Sequence, residues 1–357
     1  MHMARGALKR LLPLLGSSRP MVGGQAVMEG VMMRHADKLA LAVRRADGSI
    51  HVETWPWFSL TKAAWLRKPM IRGFPVLLET LVNGVKALNH SAVLAAEDMD
   101  GPADPAAAGP REPGGGLKSW HLVLTLAASI GLALGLFVVV PHLFSLGMQA
   151  IGLGSDMDGI LFHVWDGIFK LGIFLGYIVS ISFVPDIRRV FQYHGAEHKM
   201  IWAHEKGQPL EPACARAYSR LHPRCGTTFL LLVLSLSICM HTILVPQLLA
   251  VYSPENSVLK HLYVVAGKLL MLAPISSLAY EAIRLASRYD GSAFCRFLSG
   301  PGMCLQRLTT FEPEDDQLEV AAAALTAALA ATPEELADDD GFFIEATHKA
   351  SVIPSAS

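Results

Sequence analysis

Charge is scarce in this sequence. Of its 357 residues only 17% are Asp, Glu, Lys or Arg, and 30 basic residues face 31 acidic ones. That balance excludes the broad positive field on which nucleic-acid binding depends. Cysteine is sparse as well. Cys214, Cys225, Cys239, Cys295 and Cys304 are odd in number and contain no Cys-x-x-Cys pair, so a disulfide framework is not expected. The chain has no internal repeat. Residues 1–20 form a basic leader whose apolar stretch, Leu11–Leu15, is too short and Pro-broken for a secretory signal. An uncleaved cytoplasmic leader is the expectation.

Apolar residues, by contrast, make up 52% of the chain, and the mean hydropathy is +0.37. Both values suit a membrane protein with a sizeable aqueous part. Four stretches, about 120–140, 160–184, 227–250 and 259–283, approach the roughly 20 apolar residues needed to cross hydrocarbon. The second carries Asp166 and Lys170, the third His241 and the fourth Lys268, for which internal pairing is the expected role. The connections 141–159 and 251–258 contain no Lys or Arg, whereas 185–225 and the segment after 283 are rich in them. By the positive-inside rule, both termini and the central 185–225 loop face the cytoplasm of a multi-pass inner-membrane protein.

The expected organisation is a leader (1–20), a small hairpin and amphipathic-helix domain (21–97) and a Pro/Gly/Ala linker (98–117). A membrane domain (118–283), a cytoplasmic C-terminal region (284–330) and a tail (331–357), disordered over its last dozen or so residues, follow. Residues 38–45 and 49–55 read as strands joined around Asp47-Gly48. Residues 74–88 are apolar at helical spacing, lying on the membrane or bundle or covering the hairpin. The fold class is thus an α-helical polytopic membrane protein with about four spans and a β-hairpin-containing N-terminal domain.

One heptapeptide concentrates the chemistry: Tyr193-His194-Gly195-Ala196-Glu197-His198-Lys199. On a helix, His194 and His198 at i and i+4 project from one face, with Glu197 beside them to orient a ligand or accept a proton. This is the His-x-x-Glu-His order of inverted zincins. Two imidazoles need a further donor to hold zinc. His222 ranks first, in Leu-His-Pro-Arg-Cys-Gly-Thr-Thr; Glu281, a carboxylate on an apolar span, comes second and Cys225 third. Glu205 reads as ordinary and solvated. Gly23, Gly24, Gln25, Glu29, Gly30 and Arg34 stand in a Gly-Gly-Gln-Ala-Val-Met-Glu-Gly-Val-Met-Met-Arg block. It lacks the spacing of phosphate or dinucleotide loops and reads as a Gly-shaped turn into the hairpin.

That block, together with Phe-Gln-Tyr-His-Gly-Ala-Glu-His-Lys, His-Pro-Arg-Cys-Gly-Thr and Gln-Arg-Leu-Thr-Thr-Phe-Glu-Pro, resembles the YqhQ-like family of bacterial polytopic membrane proteins. The resemblance runs from about Met21 to Leu329 and departs at Phe311, where the family usually has Arg. It implies a polytopic membrane protein often described as a metal-dependent enzyme, with no substrate attached. The sequence therefore suggests a zinc-dependent hydrolase at the cytoplasmic membrane face, with Glu197 activating water on a membrane-embedded peptide or lipid-like substrate. The competing readings are a membrane scaffold with a structural metal or polar cluster, and an ion transporter using Asp166, Lys170, His241 and Lys268. Oligomeric state is open at this level.

Overall fold

A computed structural model describes residues 22–99, 119–288, 293–330 and 351–353. Its aqueous part is built on an antiparallel meander: β1 (Gly23–Val27), β2 (Gly30–His35), β3 (Lys38–Arg44) and β4 (Ile50–Pro56). The short β5 (Ser351–Ile353) pairs with β4 at the sheet edge, within the tail expected to be disordered. The Asp47-Gly48 hairpin forms, with Gly48 at φ +84° supplying the left-handed turn residue. A second hairpin precedes it. Gly23 and Gly24, expected to shape a turn, lie inside β1, and the turn falls at Met28-Glu29, where Glu29 adopts φ +50°.

Alternation along the strands gives the sheet two apolar faces. Val31, Met33, Ala40, Ala42 and Val52 pack against Tyr193, Ala196 and Met200 and against Leu318, Ala321 and Leu325. Met32, Leu39, Leu41 and Val43 pack on the other side with Trp57, Ala87 and Leu94. The sheet is therefore enclosed by helices on both faces. The helix α1 (Gly73–Met99) covers the second face and also packs on a long apolar helix, so both settings considered for 74–88 are realised.

Among the described residues, four helices are long and apolar enough to cross a membrane: Ala127–Ala150, Ile160–Ile181, Gly226–Val251 and Ser257–Leu285. The first differs from the expected 120–140. Helix α2 (Ser119–Leu134) passes through a π-helical turn at Gly135–Val139 into α3 (Val140–Ala150). The wider turn precedes Pro141, which lacks an N–H and would clash with the preceding helical turn. Helix α4 (Ile160–Ile181) packs on α3 and on α6 (Gly226–Val251), and α6 packs on α7 (Ser257–Arg288). Leu132, Phe183 and Leu270 point outward, 74%, 77% and 80% exposed.

Between α4 and α6 lies α5 (Pro185–Glu205), the helix that carries the heptapeptide. Pro185 in its first turn fits a position whose N–H has no intrahelical partner, and Asp186 sits at the positive end of the helix dipole. Gly207, at φ +67°, follows its last turn. After α8 (Ala293–Thr309), α9 (Asp315–Leu329) begins with a capping box in which Glu314 and Gln317 satisfy each other's backbone N–H groups.

Candidate metal centre

The two imidazoles of α5 lie on one face, their ring centroids 4.4 Å apart. Each is oriented through its Nδ1. His194 Nδ1–H donates to the Thr309 carbonyl at 2.8 Å, and His198 Nδ1–H donates to the Arg220 carbonyl at 2.6 Å. A neutral imidazole whose Nδ1 carries the proton leaves its Nε2 lone pair free, and that tautomer is the one a metal ligand needs. The His194 Nε2 lies 3.1 Å from Cys225 Sγ, and the His198 Nε2 is buried with no hydrogen-bond partner. One donor atom from each of His194, His198 and Cys225 falls within 4.8 Å of the others.

The sequence builds this geometry from far-separated parts. Gly195 admits the segment after α8: a Cβ there would collide with the Phe311 carbonyl. Phe311 N–H donates to the Phe191 carbonyl at 2.9 Å, so the Thr309 carbonyl comes to rest over His194. The loop before α6 is held by Gln306, whose amide accepts from His222 N–H and donates to the His222 carbonyl, both at 2.8 Å. Arg220 reaches the Thr310 carbonyl, fixing the residue that orients His198. Cys225 is the N-cap of α6, where its sulfur accepts from Thr227 N–H. Burial pushes the Cys225 thiol up, but His198 and the Thr227 groups outweigh it and hold the thiol below its ordinary value. That favours the thiolate, the form that binds metal. Burial holds the His198 imidazole below its ordinary value.

Glu197 stands beside the donors, 4% exposed, with Oε2 unpartnered. Burial raises its carboxyl to about 8, with His194 opposing and Cys225 adding to the shift. Its other oxygen lies against β1, where a Cβ on Gly24 would approach Oε1 to 2.8 Å.

The fold reorders the expected third donors. Cys225, ranked third, is the one in reach. His222 sits nearby, its ring centroid 5.7 Å from that of His198, but its Nδ1 accepts from Arg224 N–H and its Nε2 faces Glu205 at 3.5 Å. Glu205, taken as ordinary, thus borders the site and also pairs with Arg224. Glu281 is held elsewhere, in a two-point ion pair with Arg72 at 2.6 and 2.7 Å. The Gly-Gly-Gln block is divided between two tasks. Gly24 faces Glu197, while Gln25, on the opposite strand face, lies over Gly84 of α1. Glu29 grips Arg189 of α5 at 2.5 and 2.7 Å, tying the β1–β2 turn to the metal-site helix. Gly30 lets β3 approach, a Cβ added at Gly23 would meet nothing within 4 Å, and Arg34 stacks 3.8 Å over Trp57. Gln306 and Thr309 were not anticipated. Their block was informative only as a resemblance, because carbonyl acceptance and backbone clamping leave no composition signal.

The family model described as "Protein of unknown function (DUF1385)" matches residues 68–331, spanning every residue of this centre except Gly24. The chain belongs to this family. It is also 33% identical over 306 residues to the "Uncharacterized protein YqhQ" of Bacillus subtilis (strain 168), covering 85% of this chain and 90% of that protein. No solved structure matches it.

The donor set fits a divalent zinc ion. Two imidazole nitrogens and one thiol converge, and each imidazole is held through its other nitrogen.

Proposed function

We propose that this family member is a zinc-dependent hydrolase working at the cytoplasmic face of the inner membrane. The observation that carries the reading is the pair of Nδ1–H bonds to the Thr309 and Arg220 carbonyls, which aim both Nε2 lone pairs toward Cys225 with Glu197 alongside. Three protein donors and a neighbouring carboxylate leave a fourth position for water or substrate, the pattern of catalytic rather than structural zinc. When bound, zinc would supply Lewis acidity and lower the cost of forming hydroxide. Glu197 is placed to take the proton from an attacking water and return it to the leaving group. Gly24 leaves room for that carboxylate, and Thr309 and Arg220 fix the imidazole tautomers. His194 and Cys225 are half-buried, so the centre has an approachable side.

The membrane setting rests on the four apolar helices and their outward-facing residues. The cytoplasmic placement rests on the Lys/Arg asymmetry of the connections. A site bordering the ends of apolar helices suits a membrane-embedded peptide or a lipid-like substrate.

Metal analysis of the purified full chain tests the centre. We expect zinc near one equivalent in the wild type and at least about tenfold less in His194→Ala, His198→Ala and Cys225→Ser, since two remaining donors bind poorly. Equal metal content in all four proteins would overturn the assignment. Retention of metal in Cys225→Ser with loss in His222→Ala would move the third donor to His222.

A further inference from the structure

A second polar cluster lies inside the helical bundle, away from the metal centre. Asp166 of α4 accepts on a single oxygen, Oδ2, from two ammonium groups: Lys170 at 3.2 Å and Lys268 of α7 at 2.9 Å. All three side chains are buried, at 2%, 6% and 3% exposure. Histidines surround this triad from each neighbouring helix. His163 lies on α4 and His241 on α6, while His142 of α3 meets His261 of α7, Nε2 to Nδ1, at 2.8 Å.

The partners are incomplete in a specific way. Asp166 Oδ1, His142 Nδ1, His163 Nδ1 and both ring nitrogens of His241 are buried without a hydrogen-bond partner. His163 donates its Nε2–H to the Met157 carbonyl at 2.9 Å, so its Nδ1 is a bare acceptor. A buried polar group left unsatisfied is costly, and five such atoms in one cluster are not a passive packing choice.

The charges narrow the ligand. Two ammonium groups against one carboxylate leave one positive charge in excess, which repels a metal cation. Asp166 Oδ1 and His163 Nδ1 turn lone pairs into the cluster, which disfavours an anion. An extra proton, however, can leave an ammonium group for one of these acceptors, either directly or through water, without any other ion entering. The surplus charge sets a cost on holding that proton, so the cluster can release it.

We propose that this cluster is a proton-exchange site within the bundle. One end is the His142–His261 pair, which joins α3 to α7, and the other is the Asp166–Lys268 pair, which joins α4 to α7. The proton enters at imidazole nitrogen, and each transfer moves one proton between a donor N–H and an acceptor lone pair. The proposal rests on the bundle geometry alone and is independent of the zinc reading.

Histidine-selective 15N NMR of the full chain in nanodiscs tests it, with His163 and His241 resonances assigned through His163→Gln and His241→Gln. We expect at least one of these two to change protonation between roughly pH 3 and pH 8. Asp166→Asn, or Lys268→Met should the first variant fold poorly, is expected to move that midpoint by about a pH unit or more. Resonances that stay fixed across this range in the wild type would overturn the proposal and leave a sealed structural cluster. Resonances that follow chloride concentration at constant pH would overturn it in favour of an anion site. Zinc content, measured on the same samples, reports separately on the metal centre.

Discussion

Gly24 of β1 lies directly against the Glu197 carboxyl of α5, so close that a Cβ on Gly24 would stand 2.8 Å from Glu197 Oε1 and 2.8 Å from the Met32 carbonyl. The N-terminal glycine block and the His-x-x-Glu-His helix, separated by about half of the chain, are therefore two sides of one centre.

Gly24→Ala should displace Glu197 or part β1 from α5. Overpacking of this kind costs about 1–3 kcal/mol. Thermal unfolding is expected to show that loss, and complementation of a deletion strain is expected to fail. Gly23→Ala is the control, since nothing lies within 4 Å of the added carbon. Equal behaviour of the two variants would show that the contact with Glu197 is immaterial.

Glu197→Gln separates base from ligand. The amide is nearly isosteric but cannot accept a proton, so zinc content should stay near that of the wild type while function is lost. Cys225→Ser should instead lose metal. Full complementation by Glu197→Gln would favour a structural metal and a scaffold over an enzyme.

A pH effect is expected on the opposite sheet face. The hydrogen bond that His90 donates to the Glu53 carboxylate, opposed in part by burial, holds the imidazole above its ordinary value. A folded value above the unfolded one stabilises the protein fully below the unfolded value, about 6.5, and fades as pH rises through the folded value. The unfolding midpoint of the wild type minus that of His90→Gln should thus be largest on the acid side and shrink with rising pH. A difference that grows with pH would contradict the pairing.

Orientation is checked by single-cysteine labelling in a background lacking the native cysteines. Asn256 and Gln208 are both exposed. Impermeant reagent should modify Asn256→Cys in intact cells and spare Gln208→Cys until the membrane is opened. The reverse pattern would place α5 on the outer face.

Much of this architecture was legible in the chain because it depends on short-range pattern. Asp47-Gly48 marked its hairpin, and length and hydropathy marked four apolar helices. The first apolar helix ran past its expected end because a π turn accommodates Pro141, a backbone adjustment that composition does not encode. At the metal centre, the i, i+4 spacing carried His194 and His198 onto one face. The third donor depended on how a tight turn faces a helix, which is why Cys225 approaches while His222 turns to Glu205. Glu281 drew notice as a carboxylate in an apolar stretch, and its partner Arg72 lies 209 residues away in sequence. Gly24 could be singled out as a glycine, but the side chain that requires it belongs to another helix.

The hydrogen bond from His194 to Thr309 sets an order on biosynthesis. The carbonyl that fixes this imidazole lies 115 residues downstream, beyond α6 and α7, two of the long apolar helices. Until those helices have been made, the Thr309 carbonyl does not exist and nothing fixes the His194 tautomer through its Nδ1. On the proposed reading, zinc capture would then follow completed synthesis, and a chain truncated before Thr309 would carry all three proposed donors yet hold zinc weakly.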